Sequence, residues 1–146
     1  MYDINKIEKI KTGFNELDRL LVGGLNPEEL MVIGGRPSIG ATSLALSILK
    51  KILQGKRIPV LWLSFSMSYD EFMKRLISII SAVPLSKYHQ LHLLNSKELG
   101  RLTSACAQVS SFPIYFEMPF DIDNILSIVQ CFAAKILTYD KRSILV

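Results

Sequence analysis

Gly35-Arg36-Pro37-Ser38-Ile39-Gly40-Ala41-Thr42 is the stretch whose residue types and spacing could do chemistry. Its frame is G-x-x-x-x-G-x-T. An apolar run, Glu29 to Ile33, leads into it, and an amphipathic run, Thr42 to Leu53, follows. That context is what a phosphate-binding loop requires. Glycines let the backbone turn so that successive N–H groups converge on one anion, and a helix N-terminus adds partial positive charge. Gly35, Arg36, Pro37, Ser38, Ile39, Gly40, Ala41, Thr42 and Ser43 are therefore the candidate nucleotide-binding residues, with the Thr42 hydroxyl as a weak Mg²⁺ ligand. A hydrolysing loop carries lysine after its second glycine, and here that position is Ala41. A preorganised charge of that kind is worth about 3–4 kcal/mol of barrier. Lys50 and Lys51 lie about 13–15 Å further along a helix and are poor substitutes. Arg36 is a cation inside the loop, but the sequence does not orient it.

Other candidates are weaker. Lys50, Lys51, Lys56 and Arg57 fall close together, and Lys135, Lys141 and Arg142 sit near the last residues. The simpler reading is a solvated helix end with its linker; the sharper one is a patch that contacts nucleic-acid phosphates. His89 and His92 have no cysteine or acid at ligand spacing, so they mark a surface turn rather than a metal site. Cys106 and Cys131 read as buried free thiols in a reducing compartment. Met67, Tyr69, Phe72 and Met73 read as core. Tyr115, Phe116 and Phe120 could offer an aromatic surface to bases, but a strand there buries alternate residues anyway. No Ser/His/Asp or Cys/His constellation has supporting context.

The elements that must position the loop follow from periodicity. Asn15 to Val22 reads as a short helix and Glu29 to Ile33 as a strand. Thr42 to Leu53 reads as a helix with Leu44, Ala45, Ile48, Leu49, Ile52 and Leu53 on one stripe. Pro59 to Phe65 is a continuous apolar run, the mark of a strand covered on both faces. Ser68 with Glu71, and Asn95 with Glu98, fit capping boxes. The first opens a helix with Phe72, Met73, Leu76, Ile77, Ile80 and Val83 inward, stopped by Pro84. The second opens one with Leu99, Leu102, Ala105, Cys106, Val109 and Phe112 inward. Pro113 to Met118 reads as a third strand. Asp121 or Asp123 starts a helix with Ile125, Ile128, Val129, Phe132, Ile136 and Leu137 on one face, and Ser143 to Val146 begins another strand. Such alternation predicts an α/β fold with a mainly parallel sheet, whose ligands bind beyond the C-terminal strand ends.

Composition agrees. The 146 residues are 49% apolar and 21% charged, which suits one domain with a full core and excludes disorder. No apolar run is long enough to span a membrane, and residues 1–11 are a linker rather than a signal peptide, so a cytoplasmic protein is expected. A net charge of +4 permits a polyanionic partner without demanding one.

Several segments carry a resemblance. Lys11-Thr12-Gly13-Phe14-Asn15-Glu16-Leu17-Asp18, Gly24-Leu25-Asn26-Pro27 and Arg36-Pro37-Ser38-Ile39-Gly40 resemble the C-terminal, RecA-type ATPase domain of DnaB-like hexameric replicative helicases. The family pattern runs T-G-F/Y-x-x-L-D, G-L-x-P-x-D/E-L, then A/G-R-P-x-M/I-G-K-T. Leu61 to Met67 resembles the next strand, which ends S-L-E-M in the family, and Arg75 stands at a family arginine. The resemblance implies a three-layer P-loop NTPase core spanning residues 1–146 and incomplete on its C-terminal side. It also implies ATP with Mg²⁺, hexameric assembly and unwinding of DNA.

Three departures bear on activity. Ala41 replaces the loop lysine, and Ser66 replaces the S-L-E-M glutamate that activates the attacking water, a task serine cannot perform near neutrality. The sequence also stops where the family's magnesium-binding aspartate, its later strands, its DNA-binding loops and its arginine finger would follow. The family places a later strand between the first strand and that of Ile144. Residues 30–33 and 144–146 must therefore pair directly, leave an open edge or borrow a strand. The expected function is a non-hydrolysing pseudo-ATPase that senses nucleotide or binds a partner, such as another copy, a replicative helicase or a replisome protein. Alternatives are a DNA helicase fragment or subunit completed by another chain, and a nucleic-acid-binding scaffold without nucleotide.

Overall fold

The computed structural model describes residues 9–56 and 58–136, together with the backbone of 144–145. Arg57, Leu137, Lys141, Arg142, Ser143 and Val146 lie outside the described residues, as does most of the segment read as a linker. The chain divides into two compact units between Lys56 and Arg57.

In the first unit, Ile10 and Leu25 form an antiparallel bridge, with N–H···O distances of 2.8 and 2.9 Å. Helix α1 (Asn15–Leu20) lies between them. The carboxylate of Asp18 ties its start to the preceding chain. It accepts the Thr12 N–H and O–H, each at 2.7 Å, and the Gly13 N–H at 3.2 Å. Thr12 is fully buried. Gly13 has φ +79°, and a Cβ there would stand 2.6 Å from Cβ of Lys51. No side chain fits that position. Lys51 belongs to α2 (Ala41–Lys56), and its ammonium sits 5.7 Å from the centre of the Phe14 ring.

Helix α2 buries Leu46, Ile48, Leu49, Ile52 and Leu53. Its stripe is rotated from the expected one: Leu44 is exposed and Leu46 is fully buried. At 3.6 residues per turn these two lie at opposite edges of the apolar arc, and the arc's centre falls nearer Leu46.

The expected strand at Glu29 to Ile33 is not formed. Leu30 and Val32 are 89% and 81% exposed, and among the described residues no ladder reaches them. A strand exists through its inter-strand hydrogen bonds, and an apolar tetrapeptide without a neighbour has none to make. Asn26-Pro27-Glu28-Glu29 forms a turn in front of it: the Glu29 carboxylate accepts the Asn26 N–H at 2.8 Å and is also held by the Asn26 side-chain amide. These hydrogen bonds hold the Glu29 carboxyl below its usual range.

The second unit holds a parallel sheet of three strands, in the order β2 (Ile114–Glu117), β1 (Val60–Leu63), β3 (Ile144–Leu145). Leu61 pairs with Tyr115, and Trp62 with Phe116. Side chains alternate along a strand, so the two pairs face opposite ways. Trp62 and Phe116 meet Phe72 of α3 (Tyr69–Ser81), with ring centroids 5.0 and 5.2 Å away. On the other face Tyr115 meets Phe132 of α5 (Ile122–Ile136) edge-on at 5.3 Å, and Leu61 clusters with Phe132 and Ile136. Val60, Leu61 and Trp62 are all buried, as expected for a strand covered on both faces. The expected strand start in 143–146 is present at Ile144–Leu145, and it pairs with β1.

Helix α4 (Ser96–Ser110) packs on α3. Its predicted capping box is complete, with Asn95 and Glu98 exchanging hydrogen bonds. The box at α3 is half formed. Ser68 accepts the Glu71 N–H, but the Glu71 carboxylate turns to Arg75 instead, an ion pair one helical turn away. Left-handed Ala82 (φ 53°) ends α3 before Val83, which is buried outside the helix. Leu99 and both thiols are exposed rather than inward. Cys106 and Cys131 are each one position from a buried residue, Ala105 and Phe132, and one position rotates a helical side chain by about 100°. Of the proposed core group, Phe72 and Met67 are buried and Tyr69 is 56% exposed. Phe120 is 97% exposed, while Phe116 is used by the core.

Two outcomes follow. Burial raises the Asp18 pKa, hydrogen bonds from Thr12 and Gly13 lower it, and the net shift is downward. The stability this carboxylate supplies is therefore present at neutral pH and is lost as pH falls through its lowered pKa. Asp18→Asn should cost about 1.5–3 kcal/mol at pH 7, since hydrogen bonds to a charged group are lost. Urea melts should show this deficit shrinking in strong acid. Val22, β-branched and exposed, sits at φ 52°, where such residues are strained. Val22→Gly should raise stability by a few tenths to about 1 kcal/mol, the relief of left-handed strain exceeding glycine's entropy cost. An unchanged or lower melting temperature would contradict this.

Candidate phosphate-binding loop

Residues 34–40 are exposed, and the chain enters α2 directly at Ala41. The Ile39 N–H reaches the Arg36 carbonyl at 3.2 Å, which curls the loop. Ser38 and Gly40 then take left-handed φ values of 63° and 104°. The space a Cβ would fill at Gly40 is open, so its backbone conformation rather than crowding requires glycine there. The Gly40 carbonyl accepts the Leu44 N–H at 2.9 Å, the first bond of the helix. The N–H groups of Ala41, Thr42 and Ser43 precede that bond and have no partner within the helix. Three N–H groups at a helix start with no occluding side chain fit a phosphate oxygen cluster. Thr42 is exposed beside them and offers a hydroxyl. Ala41 brings a methyl group, and no cation, to this first turn.

The loop after β1 lies in the second unit. Ser64 is buried and closes it: its hydroxyl donates to the Met67 carbonyl at 2.7 Å and accepts the Met67 N–H at 3.0 Å. The Ser64 N–H in turn reaches the Glu117 carbonyl at 3.0 Å, which extends the β1–β2 register by one residue. Met67 is thereby drawn inward, and Phe65 and Ser66 are left exposed. Ser66 brings a hydroxyl and no carboxylate to this turn.

Lys50, Lys51 and Lys56 all lie on α2. At about 100° per residue they point in three directions, well spread around the axis. The stem of Lys51 packs on Gly13, and its ammonium lies over Phe14. His92 lies in a 3₁₀ turn and is exposed. The side chain of His89 lies outside the described ones.

Periodicity missed two groups. The Asp18 carboxylate that holds Thr12 and Gly13 explains physically why T-G-x-x-x-x-D is a unit. The signal was present as an acid a few positions after a Thr-Gly turn. Glu98 does more than close its capping box, because it also pairs with Lys87 across to the 3₁₀ turn Leu85–His89. The Lys87 hydrogen bond, then the Asn95 N–H, keep its carboxyl well ionised, below the usual glutamate range. Nothing local in sequence links residues 87 and 98.

Residues 9–136 match the family described as DnaB-like helicase C terminal domain. The replicative DNA helicase DnaB of Treponema pallidum (strain Nichols) is 38% identical over 106 residues, which are 73% of this chain and 24% of that protein. The replicative DNA helicase DnaB of Synechocystis sp. (strain ATCC 27184 / PCC 6803 / Kazusa) is 32% identical over 108 residues, 74% of this chain and 12% of that protein. The chain thus spans a quarter or less of these relatives. Among solved structures, the ATPase domain of G40P superposes with a TM-score of 0.83 at 27% identity, covering 95% of this chain and 49% of that one. A DnaB-like replicative helicase, studied with its primase interactions, also superposes at 0.83, with 26% identity over 98% of this chain and 35% of that one. The RecA-like α/β fold expected from the sequence is therefore present, and by its motifs, its matched length and its structure the chain belongs to the DnaB-like helicase C-terminal domain family.

Proposed function

We propose that this chain is a pseudo-ATPase of the replicative-helicase family, one that keeps a phosphate-receptive backbone and has lost the side chains of hydrolysis. The observation that carries the reading is Ala41 at the first turn of α2, after a loop that turns through left-handed Ser38 and Gly40. In phosphoryl transfer nearly all the catalysis is positioning and charge stabilisation. The backbone supplies the positioning through the N–H groups of residues 41–43, and Thr42 offers a metal ligand. The loop cation is absent at Ala41, and the general base is absent at Ser66. What remains suits weak, slow-turnover or turnover-free binding of ATP with Mg²⁺. Function then lies in a nucleotide-dependent contact with a partner: another copy, a replicative helicase or another replication protein, in the cytoplasm where replication runs.

A second reading has its own support. The chain spans only part of each relative, so an ATP-dependent DNA helicase whose remaining groups come from further polypeptide is the alternative. The third, a DNA-binding scaffold without nucleotide, is less supported, because Lys50, Lys51 and Lys56 do not share a face.

Calorimetric titration with Mg-ATP at low salt is the first test. The pseudo-ATPase reading expects binding without hydrolysis; hydrolysis above background that Thr42→Ala abolishes would favour the helicase reading instead. Ala41→Lys should tighten ATP binding about tenfold or more, the scale of one charge-assisted contact. An unchanged affinity would mean that the loop does not receive phosphate at all. The pair Ala41→Lys with Ser66→Glu should bind better than the parent; hydrolysis of ATP by the unmodified chain at a rate this pair does not raise would refute the proposal.

A further inference from the structure

A groove of about 840 Å³ runs between the C-terminal turn of α3 and the outer side of α4, far in sequence from the phosphate loop. Lys97, Arg101, Ser104 and Gln108 line it. They recur at steps of four, three and four residues, which sets them in one row along α4. The row is about 16 Å long by helix rise.

The groove's charge is one-sided. Among the described residues its one carboxylate is Glu98, whose side chain is only 11% exposed; it is paired with Lys87 and also feels the charge of Arg101. Lys97 and Arg101 are exposed, and neither is within ion-pair distance of an acid among the described residues. Asp70 and Glu71, the acids of α3, sit at its other end and pair with Lys74 and Arg75. Gly100, between the two cations, opens onto free space, so a ligand can approach the helix backbone there.

Ser81, at the end of α3, lines the facing wall.

We propose that this groove is a docking site for a short acidic peptide segment of a partner protein, held by Lys97 and Arg101 and hydrogen-bonded by Ser104 and Gln108. An extended peptide advances about 3.3 Å per residue, so about five residues span the row. Hydroxyl and amide groups beside the cations suit a peptide backbone flanked by carboxylates. Nucleic acid fits less well. Among the described residues no aromatic side chain lines the groove to stack a base, and two cations neutralise only about two phosphates, a salt slope near −1.4 for a single strand.

The test is an amide NMR titration of the full chain at low salt. The probes are a short peptide of alternating glutamate and leucine, a thymidine oligonucleotide of equal charge, and inorganic phosphate. The peptide should move the amides of residues 97–108 and 80–81, and its affinity should fall with added salt. Lys97→Glu with Arg101→Glu should weaken it about tenfold, since two exposed attractions become repulsions. Both residues are exposed, so the spectrum elsewhere should be unchanged, and Lys97→Arg should bind as the parent does. The proposal is overturned if the oligonucleotide or phosphate alone moves the same amides at least as strongly. It also fails if the peptide leaves residues 97–108 unmoved up to millimolar concentration, or if the double charge reversal does not weaken it.

Discussion

Leu61 and Trp62 are neighbours in the chain and face opposite ways, and the second unit is built on that opposition. One turns to Phe132 and Ile136 of α5, the other to Phe72 of α3. A strand buried on both faces needs a cover on each, and that requirement fixes where the two helices lie. Phe116 and Tyr115 repeat the division on β2, one residue for each side. The aromatic contacts are each worth about 0.5–1.5 kcal/mol beyond simple burial, and they also set the strand register. A slip by one residue would exchange the two faces and strip both cores at once. The buried Ser64, locked to Met67 and Glu117 at the end of β1, carries that register into the turn bearing Ser66.

Much of this was legible in the sequence, and the reasons are local. The apolar run at 59–65 announced a two-faced strand. Asn95 and Glu98 announced a helix start, because a capping box needs only residues three apart. The turn into α2 could be read from Gly40 and the amphipathic run after it, although the strand expected before the turn is not formed. Whatever depended on distant partners was not legible. Residues 29–33 have the composition of a strand, but strand formation is decided by a neighbour, and among the described residues none reaches them. Cys106 and Cys131 look like core by residue type, yet each stands one step from the buried face. The Glu98–Lys87 pair and the reach of Lys51 over Phe14 are tertiary contacts that no spacing rule encodes.

The candidate site divides along the same line between backbone and side chain. The loop's curl depends on Ser38 and Gly40 in left-handed conformations and on the entry into α2, none of which asks for lysine at position 41. The backbone geometry of the loop is therefore independent of the side chain at position 41. Family membership is stated by the motifs and the fold, which are kept with Ala41 and Ser66 in place.

The order of the sheet has a consequence for how the chain acquires its structure. Val60 of the central strand pairs with Ile114 on one side and Ile144 on the other, and both partners come much later in the chain. Long-range parallel pairing is slow, because loops must close before any contact rewards the loss of entropy. As the polypeptide emerges from a ribosome, the run Val60 to Leu63 precedes the strands that pair with it and the α3 and α5 side chains that meet it. Helices α3 and α4, which form locally, are complete before β2 exists. During that interval the chain presents an unpaired apolar strand with Trp62 at its centre, the kind of segment that engages chaperones or other nascent chains.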